Sequence, residues 1–323
     1  DLCEDFTEEL KHATFNYEET APFAIQLAWS IPSLAISFSA HDRQYLHWAP
    51  RAGVLAATCL DASAWIKDCL EPFGGAIMMS ATLAPFDTFE KSCGLNSDLI
   101  TIVQGHAPWR ENAYNVAIDC RVDTRLKSRS KHYETTARTV ALLSHFSPGV
   151  PVAVFFSSYQ YADNVLAYLK AARPELRVMR QPRGVNLSEQ KDFIEQGLLT
   201  ADALFLVLGS SYAEGIDLMG GRIEQIMIVG PALPEVNLVQ KTKMAQYTED
   251  SQEDAFTQTY IRPAMRRIHQ ALGRIVRAPG QNARVLLHGK RFSESAYQSE
   301  LAPEYHTDLR IDKEEALLDW LES

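Results

Sequence analysis

Residues 268–277 read Ile268-His269-Gln270-Ala271-Leu272-Gly273-Arg274-Ile275-Val276-Arg277. Ile268, Leu272, Ile275 and Val276 recur at three- and four-residue spacing, which predicts a helix with one apolar stripe. Gln270, Arg274 and Arg277 stand on the other side, and the spacing of the two arginines places them on one helical face. Gly273 costs roughly 1 kcal/mol relative to Ala inside a helix, so a glycine held there points to a close neighbour. Ala278-Pro279-Gly280 then stops the helix. Two guanidinium forks on one face can grip a phosphate chain bidentately. Read alone, the pair is better explained as a solvated basic face.

Outward from this stretch the pattern alternates between strand and helix, which implies βαβ units and a parallel sheet. Asn115–Cys120, Val150–Phe156, Arg177–Arg180, Ala203–Leu208, Ile226–Gly230 and Ala283–His288 read as strands. His132–Phe146, Ala162–Ala172, Leu187–Gly197 and the region Thr257–Arg277 read as helices. The polar, acidic stretch Lys241–Thr257 carries no assignable role. A domain boundary is expected around Leu95–Gln104, dividing the chain into 1–95 and 96–323. Upstream, residues 1–28 read as helical. Leu34–Phe38, Gln44–Trp48 and Gly53–Cys59 read as short strands with a turn at His41-Asp42-Arg43. Asp61-Ala62-Ser63 caps a helix through Leu70. Gly75–Met79 is expected to be a buried strand, and Pro85–Gly94 a helix.

Three strand exits carry polar groups where ligands gather in open α/β sheets. The first is Ser80-Ala81-Thr82-Leu83, whose plain reading is a strand-to-helix junction capped by Ser80 or Thr82. The second is Ser157-Ser158, equally a helix cap or a pair of hydroxyls suited to phosphate oxygens. The third, Gly209-Ser210-Ser211-Tyr212-Ala213-Glu214-Gly215-Ile216-Asp217, is the most specific. Two carboxylates around a glycine are poorly explained by packing, and they would repel phosphate. They suit a ribose hydroxyl or the orientation of Arg274 or Arg277. Gly215 permits a close approach of backbone to ligand.

In this order, the Ser80–Leu83, Gly209–Asp217 and Gln270–Arg277 motifs resemble those of superfamily 2 helicases, specifically the C-terminal half of the XPD/DinG family, over roughly residues 30–300. The resemblance implies an α/β fold: a RecA-like parallel-sheet domain preceded by the end of a first RecA-like domain that carries the coupling residues Ser80 and Thr82. It implies that Arg274, Arg277 and Gln270 complete an ATP site across a domain cleft. Glu214, Gly215, Asp217 and Gly273 would contribute to nucleotide binding, and Ser157, Ser158, Ser210 and Ser211 to single-stranded DNA contacts. Arg125 and Arg129, in an unpatterned basic stretch over Arg121–Lys131, read either as an exposed loop on DNA phosphates or as a solvated loop. No G-x-x-x-x-G-K-[ST] phosphate loop and no Asp-Glu-Ala-His-type box occurs in the sequence. The main phosphate and magnesium ligands for ATP are therefore expected in a separate N-terminal helicase half, and the chain alone is expected not to hydrolyse ATP. The expected setting is DNA repair or replication; the competing reading is a RecA-like binding module without ATPase activity.

Composition fits this reading. The 323 residues are 46% hydrophobic with a net charge of −10, enough for two cored domains. Positive charge is uneven, with basic stretches over Arg121–Arg138 and Arg262–Arg284, and a translocase needs it only along its strand groove and at its nucleotide. The five cysteines, Cys3, Cys59, Cys69, Cys93 and Cys120, form no CxxC-type pair. Neither a structural metal nor an iron–sulfur cluster is expected within the chain. With no membrane-spanning run and no signal pattern, a cytoplasmic location is expected, nuclear in a eukaryote.

Overall fold

The computed structural model describes the chain except for residues 1, 13–15, 17–20, 27, 32–43, 81–82, 106, 215–217 and 251–253. Two compact units result, Asp1–Ile102 with Asn237–Lys243, and Val103–Val236 with Met244–Ser323.

In the first unit, α1 (Leu2–His12) is followed by an antiparallel hairpin of β1 (Tyr45–Arg51) and β2 (Val54–Cys59). Trp48 Nε1 donates to Thr58 Oγ1 across it at 3.0 Å. Asp61 leads α2 (Ser63–Leu70), its carboxylate accepting from the Ser63 N–H at 2.9 Å and the Ser63 hydroxyl at 2.8 Å. Helix α3 spans Phe86–Ser92. Gly94 follows it at φ +63°, where a Cβ would stand 2.4 Å from the Ser63 carbonyl oxygen. Gly75–Met79 does not form the expected strand; Ile77 and Met79 are 89% and 87% exposed. A buried parallel strand needs a ladder on its flanks, and no described residues pair with this segment. The expected strand Leu34–Phe38 and turn His41-Asp42-Arg43 lie outside the described residues.

The second unit is built on seven parallel strands: β3 (Tyr114–Asp119), β4 (Val152–Phe156), β5 (Val178–Arg180), β6 (Ala203–Val207), β7 (Gln225–Val229), β8 (Ala283–His288) and β9 (Arg310–Ile311). Their order is β5-β6-β4-β7-β8-β3-β9. Strands β4 and β6 are apolar throughout because both faces are covered. Helices α4 (Tyr133–His145), α5 (Tyr159–Ala172) and the last helix of the chain, Glu314–Glu322, seat Val140, Val165 and Leu317 against Val154, Phe156 and Phe205. On the opposite face α6 (Leu187–Thr200), the short α7 (Ser211–Glu214) and the helix Arg262–Leu272 seat Ile194, Ala213 and Ile268 against Phe155, Leu204 and Leu206. Helix α8 is Leu238–Asp250; Arg262–Leu272 and Glu314–Glu322 are α9 and α10. Strand β4 is followed by a crossover towards β5 and its neighbour β7 by one towards β8. The direction of the crossovers switches between β4 and β7, whose carboxyl ends lead into Ser157 and Gly230, the position where ligands gather in open α/β sheets.

The stretch from Glu304 to Glu322, an acidic tail by composition, is a structural element. Strand β9 and helix α10 close the sheet, and Trp320 Nε1 donates to Asn115 Oδ1 at 2.8 Å. Arg284 donates to the Leu321 carbonyl at 2.7 Å and lies over the Trp320 ring.

Candidate functional site: an arginine turn and a hydroxyl-lined strand edge

The helix carrying the arginines ends earlier than its periodicity implies. It stops at Leu272, with Gly273 as C-cap at φ −61°; residues 273–275 form a turn, and 276–277 continue from it without regular structure. Arg274 and Arg277 therefore do not share a helical face. The apolar spacing misleads because Ile275 and Val276, each 1% exposed, are drawn into the core after the helix has ended. The Tyr114 hydroxyl donates to the Leu272 carbonyl at 3.2 Å, satisfying one of the helix's terminal acceptors. Gln281 Oε1 takes the N–H groups of Arg277 at 2.7 Å and Ala278 at 3.1 Å. Gly273 is not the close-approach glycine, since a Cβ there would meet only the His269 carbonyl oxygen, at 3.0 Å. That part falls to Gly220, where a Cβ would stand 2.8 Å from Arg277 Cγ, and the next residue, Gly221, donates to the Ile275 carbonyl at 2.9 Å. The segment just downstream of the acidic motif is thus seated on the arginine turn. Gly215 and Asp217 lie outside the described residues, as does the Glu214 side chain. Gln270 is half-buried on α9, Arg274 is half-buried and Arg277 exposed.

The hydroxyls gather at the carboxyl edge. Ser158 is the N-cap of α5, accepting the Tyr161 N–H at 3.3 Å, and Ser157 beside it is half-exposed. Ser210 donates to the Val207 carbonyl at 2.6 Å, and Ser211 donates to Gln190 Oε1 at 2.6 Å. The residue that joins these loops is Gln181, just past β5 and fully buried. Its Oε1 accepts the Val207 N–H at 2.8 Å and lies 3.3 Å from Ser210 Oγ, while its Nε2 donates to the Tyr159 hydroxyl at 2.5 Å. Nothing in the sequence distinguishes Gln181 from a surface glutamine. Arg267 is a second unanticipated member: its side chain lies 3.1 Å from where a Gly209 Cβ would be and donates to the Ala232 carbonyl at 3.1 Å.

The basic stretch is not the exposed loop expected. Val122 and Thr124 are buried and residues 129–132 form a helical turn. Arg125 is engaged by Glu294 at 2.5 Å and Asp123 at 3.4 Å. Arg129 donates to Gln160 at 3.2 Å and lies over the Tyr161 ring. Arg121 reaches inward to a buried network at the ends of β3 and β8. It donates to both oxygens of Asp119, at 2.9 and 2.7 Å, and to Thr139 at 2.8 Å. Asp119 also meets His288 Nδ1 at 2.7 Å, and His288 Nε2 meets Thr136 Oγ1 at 3.0 Å. Burial would raise the Asp119 carboxyl, but His288 and the hydrogen bonds from Arg121 outweigh it and hold the group well below the usual carboxylate range. Of the coupling motif, Thr82 lies outside the described residues; Ser80 is exposed in the first unit. Among the described residues no group of three or more His, Cys, Asp or Glu side chains is placed to hold a metal ion, and no helix is long and apolar enough to cross a membrane.

On α9, His269 stacks on Tyr305 and accepts the Ala302 N–H at its Nε2, 3.2 Å away. Burial pushes it down from 6.5 to about 4, so it is neutral in the native state near pH 5. The unfolded chain binds the extra proton first, so this stabilisation is complete above pH 6.5 and is lost as pH falls towards 4. Going from pH 7 to pH 5 is expected to reduce unfolding free energy by about 2 kcal/mol through this residue. Urea denaturation at the two pH values checks this. If H269Q shows the same pH dependence as the natural chain, the assignment to His269 is wrong.

A doubly wound parallel sheet with strand-end hydroxyls and an arginine turn defines a RecA-like domain of the helicase type. Residues 142–307 match the family profile described as Helicase C-terminal domain, and the chain belongs to that family. It is 25% identical over 273 residues to the Candida albicans protein named ATP-dependent DNA helicase CHL1, covering 75% of this chain and 32% of that one. It is 24% identical over 236 residues to the Photobacterium profundum ATP-dependent DNA helicase DinG, covering 69% and 32%. A solved structure titled XPD helicase superposes with a TM-score of 0.64 at 18% identity, over 95% of this chain and 61% of that one, a likeness of fold. The chain spans about a third of the length of the curated relatives it matches.

Proposed function

We propose that this chain forms the second RecA-like domain, with the adjoining coupling segment, of an ATP-dependent DNA helicase of the XPD/DinG type acting in DNA repair or replication. The observation that carries the reading is the seating of Gly220 and Gly221 on the turn that bears Arg274 and Arg277. It brings the segment that follows the acidic motif in sequence onto the stretch that bears the arginines, which supports a shared role at a nucleotide. The names of the curated relatives and the family match support it. In this reading Arg274 and Arg277 neutralise charge on the transferred phosphoryl group of ATP, with Gln270 in the same network. Glu214, Gly215 and Asp217 line the approach to the nucleotide. An N-terminal helicase half supplies the phosphate cradle and the magnesium ligands, and magnesium bound there neutralises phosphate charge. Ser157, Ser158, Ser210 and Ser211 meet the phosphates of single-stranded DNA, by hydroxyl or backbone N–H, which fixes position without reading sequence. Ser80 and Thr82 couple the two activities. Arg125 and Arg129 are left out of the strand groove, since both guanidiniums are engaged within the domain.

The test is ATP turnover by the intact protein with and without single-stranded DNA. Several-fold stimulation by the strand is expected. A turnover indifferent to every nucleic acid offered would rule the reading out.

A further inference from the structure

At the carboxyl edge of β4, β5 and β6, outside the motifs discussed above, Arg183 lies over Tyr159, its guanidinium carbon 4.3 Å from the ring centroid. The arginine side chain is 62% exposed, so the plane retains a broad solvent-facing surface. A cation–π pair at an exposed site is a weak contact, which does not account for the fixed frame beneath this one. That frame is Gln181. Its Oε1 is committed to the Val207 N–H at 2.8 Å, which fixes the amide orientation and turns Nε2 onto the Tyr159 hydroxyl. Tyr159 Oη therefore receives a hydrogen, and its own O–H remains a donor. Of the neighbouring acids, Asp163 pairs with Arg180 at 2.8 Å and more distantly with Arg183 Nη2 at 3.9 Å, and Glu189 accepts the Asn186 N–H at 2.9 Å in the capping box of α6. The same amide holds Val207 and approaches Ser210, so the stack is fixed relative to the hydroxyl-lined loops at Ser210 and Ser211.

We infer that Tyr159 and Arg183 form a stacking step for one base of a single-stranded nucleic acid, with Gln181 as the positioning residue that holds the step in line with the strand-end hydroxyls. This rests on the helicase reading and adds a base contact to its phosphate contacts. Guanidinium planes and aromatic rings both accept bases face to face, and such contacts tolerate any sequence because every base has a π-face. The Tyr159 O–H is placed as a donor to the adjoining phosphate.

The test compares the intact protein with R183K and R183A, using an oligothymidylate strand and the same strand carrying abasic sites, across a series of salt concentrations. Arg183 is exposed, so both variants should fold. Lysine keeps the charge but cannot stack. R183K is therefore expected to bind oligothymidylate about tenfold more weakly, with the natural salt slope, while binding the abasic strand as the natural protein does. R183A is expected to lose affinity for both strands and to lower the salt slope by about one. If R183K binds oligothymidylate as tightly as the natural protein, the stacking step is overturned while the helicase reading stands. If the natural protein binds neither strand, both fall.

Discussion

Arg274→Ala and Arg277→Ala, made separately in the intact protein, are each expected to lower the ATP turnover rate at saturating nucleotide by about a thousandfold or more. That corresponds to about 4 kcal/mol of transition-state stabilisation. The loss should fall on the rate rather than on nucleotide affinity, because in the proposed role the guanidinium would act on charge that develops during transfer. Misfolding is a poor alternative explanation for Arg277. Its side chain is exposed, and its backbone is held independently by Gln281 at 2.7 Å. The melting midpoint of the Arg277 variant should therefore stay close to that of the natural protein. Gly220→Ala supplies a second check on the geometry, since its Cβ would press on Arg277 Cγ at 2.8 Å and must displace the arginine or the loop. Gly273→Ala, at an ordinary φ of −61°, should be milder despite lying inside the motif. Turnover retained by both arginine variants within tenfold would remove the arginines from the chemistry. Greater sensitivity at Gly273 than at Gly220 would show that the turn geometry had been misjudged.

What could be read from the sequence, and what could not, divides along physical lines. The strands of the second unit were legible because a strand buried on both faces is an uninterrupted apolar run, as in Val152–Phe156 and Ala203–Val207. The end of α9 was not, because Ile275 and Val276 keep helical spacing while their burial is achieved by a turn. Gly75–Met79 has the composition of a buried strand but forms none, since a strand is defined by its neighbours as well as by its residues. The basic stretch read as an exposed loop, solvated or on DNA phosphates, because its acidic partners are distant in sequence: Glu294 for Arg125 and Glu314 for Arg138. The acidic tail hid Leu317, Trp320 and Leu321 among its charges. Within the site, hydroxyls at strand exits were legible from position alone. Gln181 and Arg183 were not, because their significance lies in hydrogen-bond and ring geometry that only the folded sheet assembles.

Asp119→Ala is expected to destabilise the second unit by about 3–5 kcal/mol, a large fraction of the stability of an ordinary domain. The carboxylate is fully buried and is the shared acceptor for Arg121 and His288. Its removal leaves a largely buried guanidinium and a buried imidazole facing an apolar methyl. The damage should spread across the sheet, because Asp119 and His288 are register partners on β3 and β8, and His288 also meets Thr136 on α4. His288→Ala should cost less, since Arg121 still pairs with Asp119 at 2.7 Å. The two changes should be non-additive when combined, as expected for residues in one network. The depressed Asp119 carboxyl adds an acid limb: its stabilisation is present above the ordinary carboxylate range and is lost as pH falls through the lower native value. This limb lies below the one assigned to His269, so acid unfolding should begin with the imidazole and finish with the carboxylate. Denaturant titrations of the natural chain, D119A, H288A and the double variant decide the matter. A cost below about 1 kcal/mol for D119A, in the range of an exposed ion pair, would mean that the network does not hold β3, β8 and α4 together.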